Sequence, residues 1–416
     1  MRLCVQYQWM WMAWVIVFLG CGNTDSSGDG TPHAFDQCKF AVVNSDYVST
    51  SISLLHNDGT VCVDHVIHSG STAPGLLTAL SGDVVLPSTP HPEGALVLID
   101  RFPNAAIALV EPTTGTVVQQ ISVSTGFASN PHDAWFPDGG RMYVTRAESN
   151  RTPTERTDDW DEGGDILIVE VDSGQIEDRI DLGSLADEIA GERLDPRPDR
   201  LIPLHGSLWT NLRHLSSDFQ QAGAGKLVAI DPMDNTVQHS LSLPGLENCG
   251  GMQAMTNGLW LVCTGLFAAS IESQVAVSGI AYVGVEPGSA PTNNWSMTAV
   301  DLGNRPLGFS LAALDEHRAV VVLLGSLQGD GLNDRLAVVD RLDDSVTELD
   351  FQSSAYTVGH LYWNAGLEKL LVLNSGKQDP GIQRLKWDDV QGWSSMETVS
   401  SNPSVGLPPI TLGVLR

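Results

Sequence analysis

The chain has 416 residues, with 22 Lys and Arg against 50 Asp and Glu, for a formal net charge of −28. Its 42% apolar and 17% charged residues supply a large core and exclude a wholly disordered chain. The acidic balance argues against nucleic acid as a partner and against docking on an anionic membrane through a basic patch, because phosphates need Lys and Arg. In chain order, residues 1–21 read MRLCVQYQWMWMAWVIVFLGC. Arg2 is the one charge, and the apolar run from Trp9 to Leu19 has the length of a signal-peptide core. It falls short of the ~20 residues of a membrane span, and no later segment reaches 18 consecutive apolar residues.

Gly20-Cys21 ends that run, and the segment resembles a bacterial lipoprotein signal, in which a small residue precedes a Cys that is lipidated and becomes the mature N-terminus. The resemblance implies a signal peptide over 1–20 and a lipid on Cys21. Gly22 is not the Asp of an inner-membrane retention signal, which points to the outer membrane. An ordinary secretory signal is the alternative. Residues 22–32, GNTDSSGDGTP, read as a flexible tether extending over 21–37.

Beyond Cys4 and Cys21 four cysteines remain: Cys38, Cys62, Cys249 and Cys263. An even number in an exported chain points to two disulfides. Asn257-Gly258 is a hairpin-turn signal that sets Cys249 opposite Cys263, leaving Cys38 to Cys62; free buried thiols are the alternative.

From Cys38 onward one unit repeats: an apolar run, a loop, a second apolar run ending near Asp or Glu, a Gly/Asn turn, then a β-branched run. The second run and its turn align at 51–67, 106–123, 166–182, 226–243, 280–302, 335–351 and 382–399. AIALVEPTTGTVVQQISV (106–123) and KLVAIDPMDNTVQHSLSL (226–243) are clear copies. A spacing of ~45–60 residues and period-two alternation fit β-propeller blades of four short strands. The one helix-like stretch is LGSLADEIAGERL (182–194). The first unit lacks an inner strand, and the chain ends in an apolar run with no unit after it, so residues 408–414 are expected to supply that strand and close the ring. The expectation is an all-β fold: a single seven-bladed β-propeller of four-stranded antiparallel blades over 38–416, with six or eight blades as the alternative counts.

NPHDAWFPDGGRMYVTRA (130–147) resembles the YVTN-type β-propeller repeat through Pro131, His132, Pro137, Asp138, Gly139, Tyr143, Val144 and Thr145, with Arg146 in place of the Asn. Partial copies are Trp209-Thr210-Asn211, Val42-Val43-Asn44 and Val372-Leu373-Asn374. The resemblance implies that inner strands start, and second strands end, at one mouth of a central channel. The loops expected there carry the long inserts 148–165, 214–225 and 265–277.

Two constellations fall near that mouth. Asp158, Asp159, Asp161 and Asp165, with Glu162, offer oxygen ligands for Ca²⁺, without the spacing of an EF-hand; a solvated acidic loop is the plainer alternative. His132, Arg146, Arg200, Arg213 and Arg305 form a candidate anion site, unless each pairs with a carboxylate such as Asp133 or Glu148. No nucleophile elbow, H-E-x-x-H, Walker loop or dinucleotide fingerprint is present; GFSLA at 308–312 fails at its last position. The expected function is a lipid-anchored cell-envelope module that binds a protein, glycan or small anion through its loop-rich face, with no catalytic residues and no cofactor. The alternative is a propeller enzyme, a lactonase-like hydrolase with a channel-bound divalent cation.

Overall fold

The structure is a computed structural model that describes residues 37–151, 161–327, 331–377, 380–388, 392–395 and 397–416. The expectations for residues 1–20, for Cys21 and for all of the tether before Gln37 fall outside the described residues, as do Asp158 and Asp159. Seven four-stranded antiparallel sheets stand as blades of one ring. Each of the seven repeat copies read from sequence is the outer hairpin of one blade, for example Ala106–Glu111 with Thr116–Ser122 and Ala224–Asp231 with Thr236–Glu247.

The middle strands are continuous apolar runs such as LVLID and RAVVVL because both of their faces are buried. Alternate side chains point to opposite faces of a strand. In blade three, Met142 and Val144 pack against Ile99 and Ile107 of blade two. Between them Tyr143 packs against Leu208 and Val228 of blade four. The same division recurs around the ring, giving seven apolar clusters for seven blade interfaces. Outer strands are polar where they meet solvent, as in QIEDRI at Gln175–Ile180.

Strand Pro409–Val414 is the inner strand of blade one and pairs antiparallel with Cys38–Ser45, from Phe40 opposite Val414 to Asn44 opposite Pro409. The ring therefore closes between the last and first segments of the propeller. The disulfides are Cys38–Cys62 and Cys249–Cys263, the latter spanning a hairpin in which the two cysteines are paired in register.

Two local expectations are corrected. Residues 182–194 hold a short 3₁₀ turn, Gly183–Leu185, and a small hairpin of Asp187–Ile189 with Glu192–Leu194. Gly191 takes a positive φ of 84° between its strands, which gives glycine there a turn role that ends any helix. The helix is instead Ile271–Val277 in blade five's insert, where the Ser270 hydroxyl accepts from the Ser273 amide at 3.3 Å. Blade two's inner strand is only Val84–Val85, because Pro87, Pro90 and Pro92 cannot donate to a ladder.

Removing residues 409–416 strips blade one of its inner strand and uncovers Val42, Val43 and the edge of blade seven. The truncated chain is expected to lose its cooperative thermal transition by circular dichroism; a transition like that of the full chain contradicts ring closure.

Candidate functional site

The described parts of all three long inserts leave one face: 147–151 and 161–165 follow Arg141–Arg146, 213–223 follow Ser207–Leu212, and 264–278 follow Gly258–Cys263. The opposite face carries tight turns such as 171–174 and 232–235. At the loop face, buried polar side chains bind one blade to the next. Ser45 Oγ donates to the Gly82 carbonyl at 2.7 Å, Thr145 Oγ1 to the Asp199 carbonyl at 3.0 Å, and Asn211 Nδ2 to the Cys249 carbonyl at 2.5 Å. Asp133 joins three blades: Ser88 donates to it through its amide (2.8 Å) and hydroxyl (2.5 Å), and the Leu201 amide donates at 2.8 Å. Burial raises the Asp133 carboxyl against the pull of Arg200 and these donors.

The central channel holds two chambers. The one at the loop face has a volume of about 320 Å³ and the one at the opposite face about 410 Å³. Arg200, Phe309, Ser310 and His360 line both and form the waist between them. Arg200, Phe309 and His360 each stand third in their inner strands, Pro198–Leu204, Leu307–Ala313 and Val358–Asn364. Small residues keep the channel open and let its walls approach. A Cβ on Gly250 would meet the Phe309 ring at 2.6 Å, and one on Gly359 would meet the Ile410 carbonyl oxygen at 2.7 Å.

Of the expected cations, the structure brings His132, Arg200 and Arg213 around Asp199. His132 Nδ1 lies 3.4 Å from Asp199 Oδ2, Arg200 Nε lies 3.5 Å from Oδ1, and Arg213 Nη1 lies 3.7 Å from Oδ2. Burial pushes the Asp199 carboxyl up, but His132, Arg200 and Arg213 together hold it well below the usual carboxylate range. Arg213 Nε also donates to Asn248 Oδ1 at 2.8 Å, and burial lowers its guanidinium. The Arg200 guanidinium makes no side-chain hydrogen bond among the described residues and is 29% exposed to the channel.

The other two cations are engaged elsewhere. Arg146 is fully buried, donating to Asp165 at 2.7 and 2.5 Å, to Asp161 at 2.9 and 2.7 Å, and to Thr125 Oγ1 at 2.6 Å, with Phe127 against its guanidinium. The two described aspartates of the acidic insert, Asp161 and Asp165, thus clamp an arginine. Burial raises Asp161, yet Arg146 and Thr125 outweigh it and pull the carboxyl down to about 2. Arg305 donates to the Asn333 carbonyl, outside the channel lining. Among the described residues no group of three or more His, Cys, Asp or Glu is arranged to hold a metal ion.

Sequence reasoning missed Asp199, Arg101 and the channel role of His360. Arg101 lines the loop-face chamber and donates through Nε to Asp83 at 3.0 Å. The Leu412 amide donates to His360 Nδ1 at 3.2 Å, which leaves the ring proton on Nε2. Burial, aided by Arg200, brings His360 down to about 3, so it serves as a neutral donor. The signal that finds these residues is the shared third position of the inner strands, which emerges when Pro198-Asp199-Arg200, Leu307-Gly308-Phe309 and Val358-Gly359-His360 are aligned.

No protein-family model matches the chain, and no curated protein matches it. Solved structures share its fold at low identity. A functionally unknown protein from Desulfotomaculum acetoxidans has a TM-score of 0.54 at 9% identity, covering 91% of this chain and 99% of its own. A protein provisionally assigned as a 6-phosphogluconolactonase from Bacteroides fragilis gives 0.55 at 10%, covering 93% and 100%. A hypothetical selenium-binding protein from Sulfolobus tokodaii gives 0.56 at 9%, covering 91% and 93%. At these identities the likeness establishes the propeller fold alone.

Arg146→Ala leaves buried Asp165 without its partner and Asp161 with only the half-exposed Arg179, 3.1 Å away, and is expected to cost ~3–5 kcal/mol in urea unfolding. Lys at the same position cannot make both bidentate pairs and should recover little of it. A second expectation concerns acid. His214 is buried, and its burial and Lys226, against Asp187, hold it at about 4. It binds a proton in the unfolded chain below ~6.5 but in the fold only near 4, so its stabilisation is lost as pH falls through that window. The urea midpoint should drop between pH 7 and pH 4, and less steeply in His214→Asn.

Proposed function

We propose that this protein is a lipid-anchored cell-envelope propeller that binds a small anionic ligand at the loop-face mouth of its channel. The observation that carries the reading is Arg200. In a chain of net charge −28, where Arg146 and Arg318 are paired in two-pronged fashion with carboxylates, Arg200 keeps its outer guanidinium nitrogens free at the channel waist. Asp199 takes only its Nε side, and guanidinium N–H groups left open beside low-dielectric protein attract an anion. Arg101, paired with Asp83, lines the same chamber, and His360 Nε2–H adds a neutral donor to it. A chamber of about 320 Å³ lies at the small end of ligand pockets, which suits a small molecule. The ring holds Arg200 and His360 on inner strands, and Phe267 of the insert after Gly258–Cys263 joins the chamber wall.

The anchor and its location rest on the sequence around Cys21. Cys21→Ser is expected to move the protein from the membrane to the soluble fraction; unchanged fractionation contradicts lipidation. For the site, acetate, succinate and inorganic phosphate are titrated onto the full chain in mild detergent while its melting temperature is followed. At least one should raise it, because a ligand held by the native state alone stabilises that state. Arg200→Gln should weaken that effect about tenfold or more in ligand concentration. An unchanged response in Arg200→Gln contradicts the reading.

A further inference from the structure

The loop-face chamber has a second feature that charge does not explain. Phe309, Phe267 and Tyr356 line it with 38%, 43% and 40% of their surface exposed. They are contiguous: Phe267 lies 5.5 Å from Phe309 and 6.2 Å from Tyr356, ring centroid to centroid. Three neighbouring rings left open to water are costly, and such a patch marks a surface that something covers. The rings come from three blades, through the insert after Gly258–Cys263, the inner strand Leu307–Ala313 and the segment before Val358–Asn364. They form one wall of the chamber that Arg200 and Arg101 also line.

Phe309 is fixed by its surroundings. The Arg213 guanidinium lies 4.9 Å from its centroid, and the bare backbone at Gly250 makes the space its ring fills. Phe309, Arg200 and His360 all line the waist. The chamber thus offers a flat apolar face next to a guanidinium fork and a neutral N–H donor. A fork of that kind fits a carboxylate in two-pronged fashion.

Resting on the anionic-ligand reading above, we infer that the ligand is a small aromatic carboxylate, with its ring against Phe309 and the adjoining rings and its carboxylate on Arg200. Aromatic rings prefer offset or edge-to-face neighbours, which a planar ring entering beside Phe309 and Phe267 finds on arrival. A purely inorganic anion would leave the aromatic wall wet. A neutral ring would leave the outer guanidinium nitrogens of Arg200 without a hydrogen-bond acceptor.

The test is calorimetric titration of the full chain in mild detergent with benzoate, cyclohexanecarboxylate, benzyl alcohol and inorganic phosphate. Benzoate should bind best, exceeding cyclohexanecarboxylate, which has the same charge and similar bulk, by about 3- to 10-fold. Phe309→Leu should erase that preference, and Arg200→Gln should weaken benzoate about 10- to 100-fold. Both variants are first checked for an unchanged melting transition; if Phe309→Leu does not fold, Tyr356→Leu and Phe267→Leu carry the same comparison. Equal binding of benzoate, cyclohexanecarboxylate and phosphate, all dependent on Arg200, overturns the aromatic inference and leaves the anionic reading standing. Binding of none of the anions, or benzoate binding indifferent to Arg200→Gln, overturns both. Benzyl alcohol binding as well as benzoate also overturns both, since the charge then does nothing.

Discussion

The pairing of Pro409–Val414 with Cys38–Ser45 is the constraint on which the rest of the molecule depends. No blade has a face of its own to leave bare: the middle strands are buried on both sides, each against a different neighbour. An open ring would expose two apolar faces and two edges, so stability comes from closure as much as from any one blade. The same strand also builds the site. Ile410 and Thr411 line the loop-face chamber, Leu412 and Gly413 the opposite one, and the Leu412 amide selects the tautomer of His360. The site is therefore made of residues from both ends of the propeller and does not exist in a fragment of it.

The distribution of charge follows from the same geometry. Exposed turns carry acidic side chains at little cost, as at Asp138, Asp172, Asp234 and Asp343, and outer strands add a few, as at Glu177 and Asp178. Near the axis water is scarce and an ion needs a partner. Asp199 finds it in His132, Arg200 and Arg213, Asp133 in amides of neighbouring blades, and Arg146 in Asp161 and Asp165. Removing one member of such a set leaves the others buried and uncompensated. Arg200 differs in giving one atom to Asp199 and holding the rest of its guanidinium open to both chambers. The same position is shared with Phe309 and His360, so the waist combines a cation, a ring and a neutral donor.

Much of the fold is legible in the sequence because it rests on local pattern. Outer hairpins announce themselves by a turn between two short runs, and all seven are legible this way, including those at 51–67 and 382–399. Closure was legible from arithmetic alone, one strand lacking at the start and one in excess at the end. The hairpin at Asp187–Leu194 was not, since its short acidic strands carry no alternation and read equally as a helix. The site divided similarly. Composition picks out the rare cations, but only the folded ring decides that Arg146 faces Asp161 and Asp165 whereas Arg200 faces the channel. Asp199 was invisible among 50 acidic residues until the inner strands were brought into register.

Hydrogen exchange of the full chain, read by mass spectrometry on the peptide covering 409–416, tests the organising role of closure most directly. Amides in the body of a closed ring open only with the whole domain. The account predicts that Gly413 and Leu415, whose amides face Cys38–Ser45, exchange as slowly as the inner strand of blade four, Pro198–Leu204. Exchange of the C-terminal peptide within seconds, while that inner strand stays protected, would contradict it.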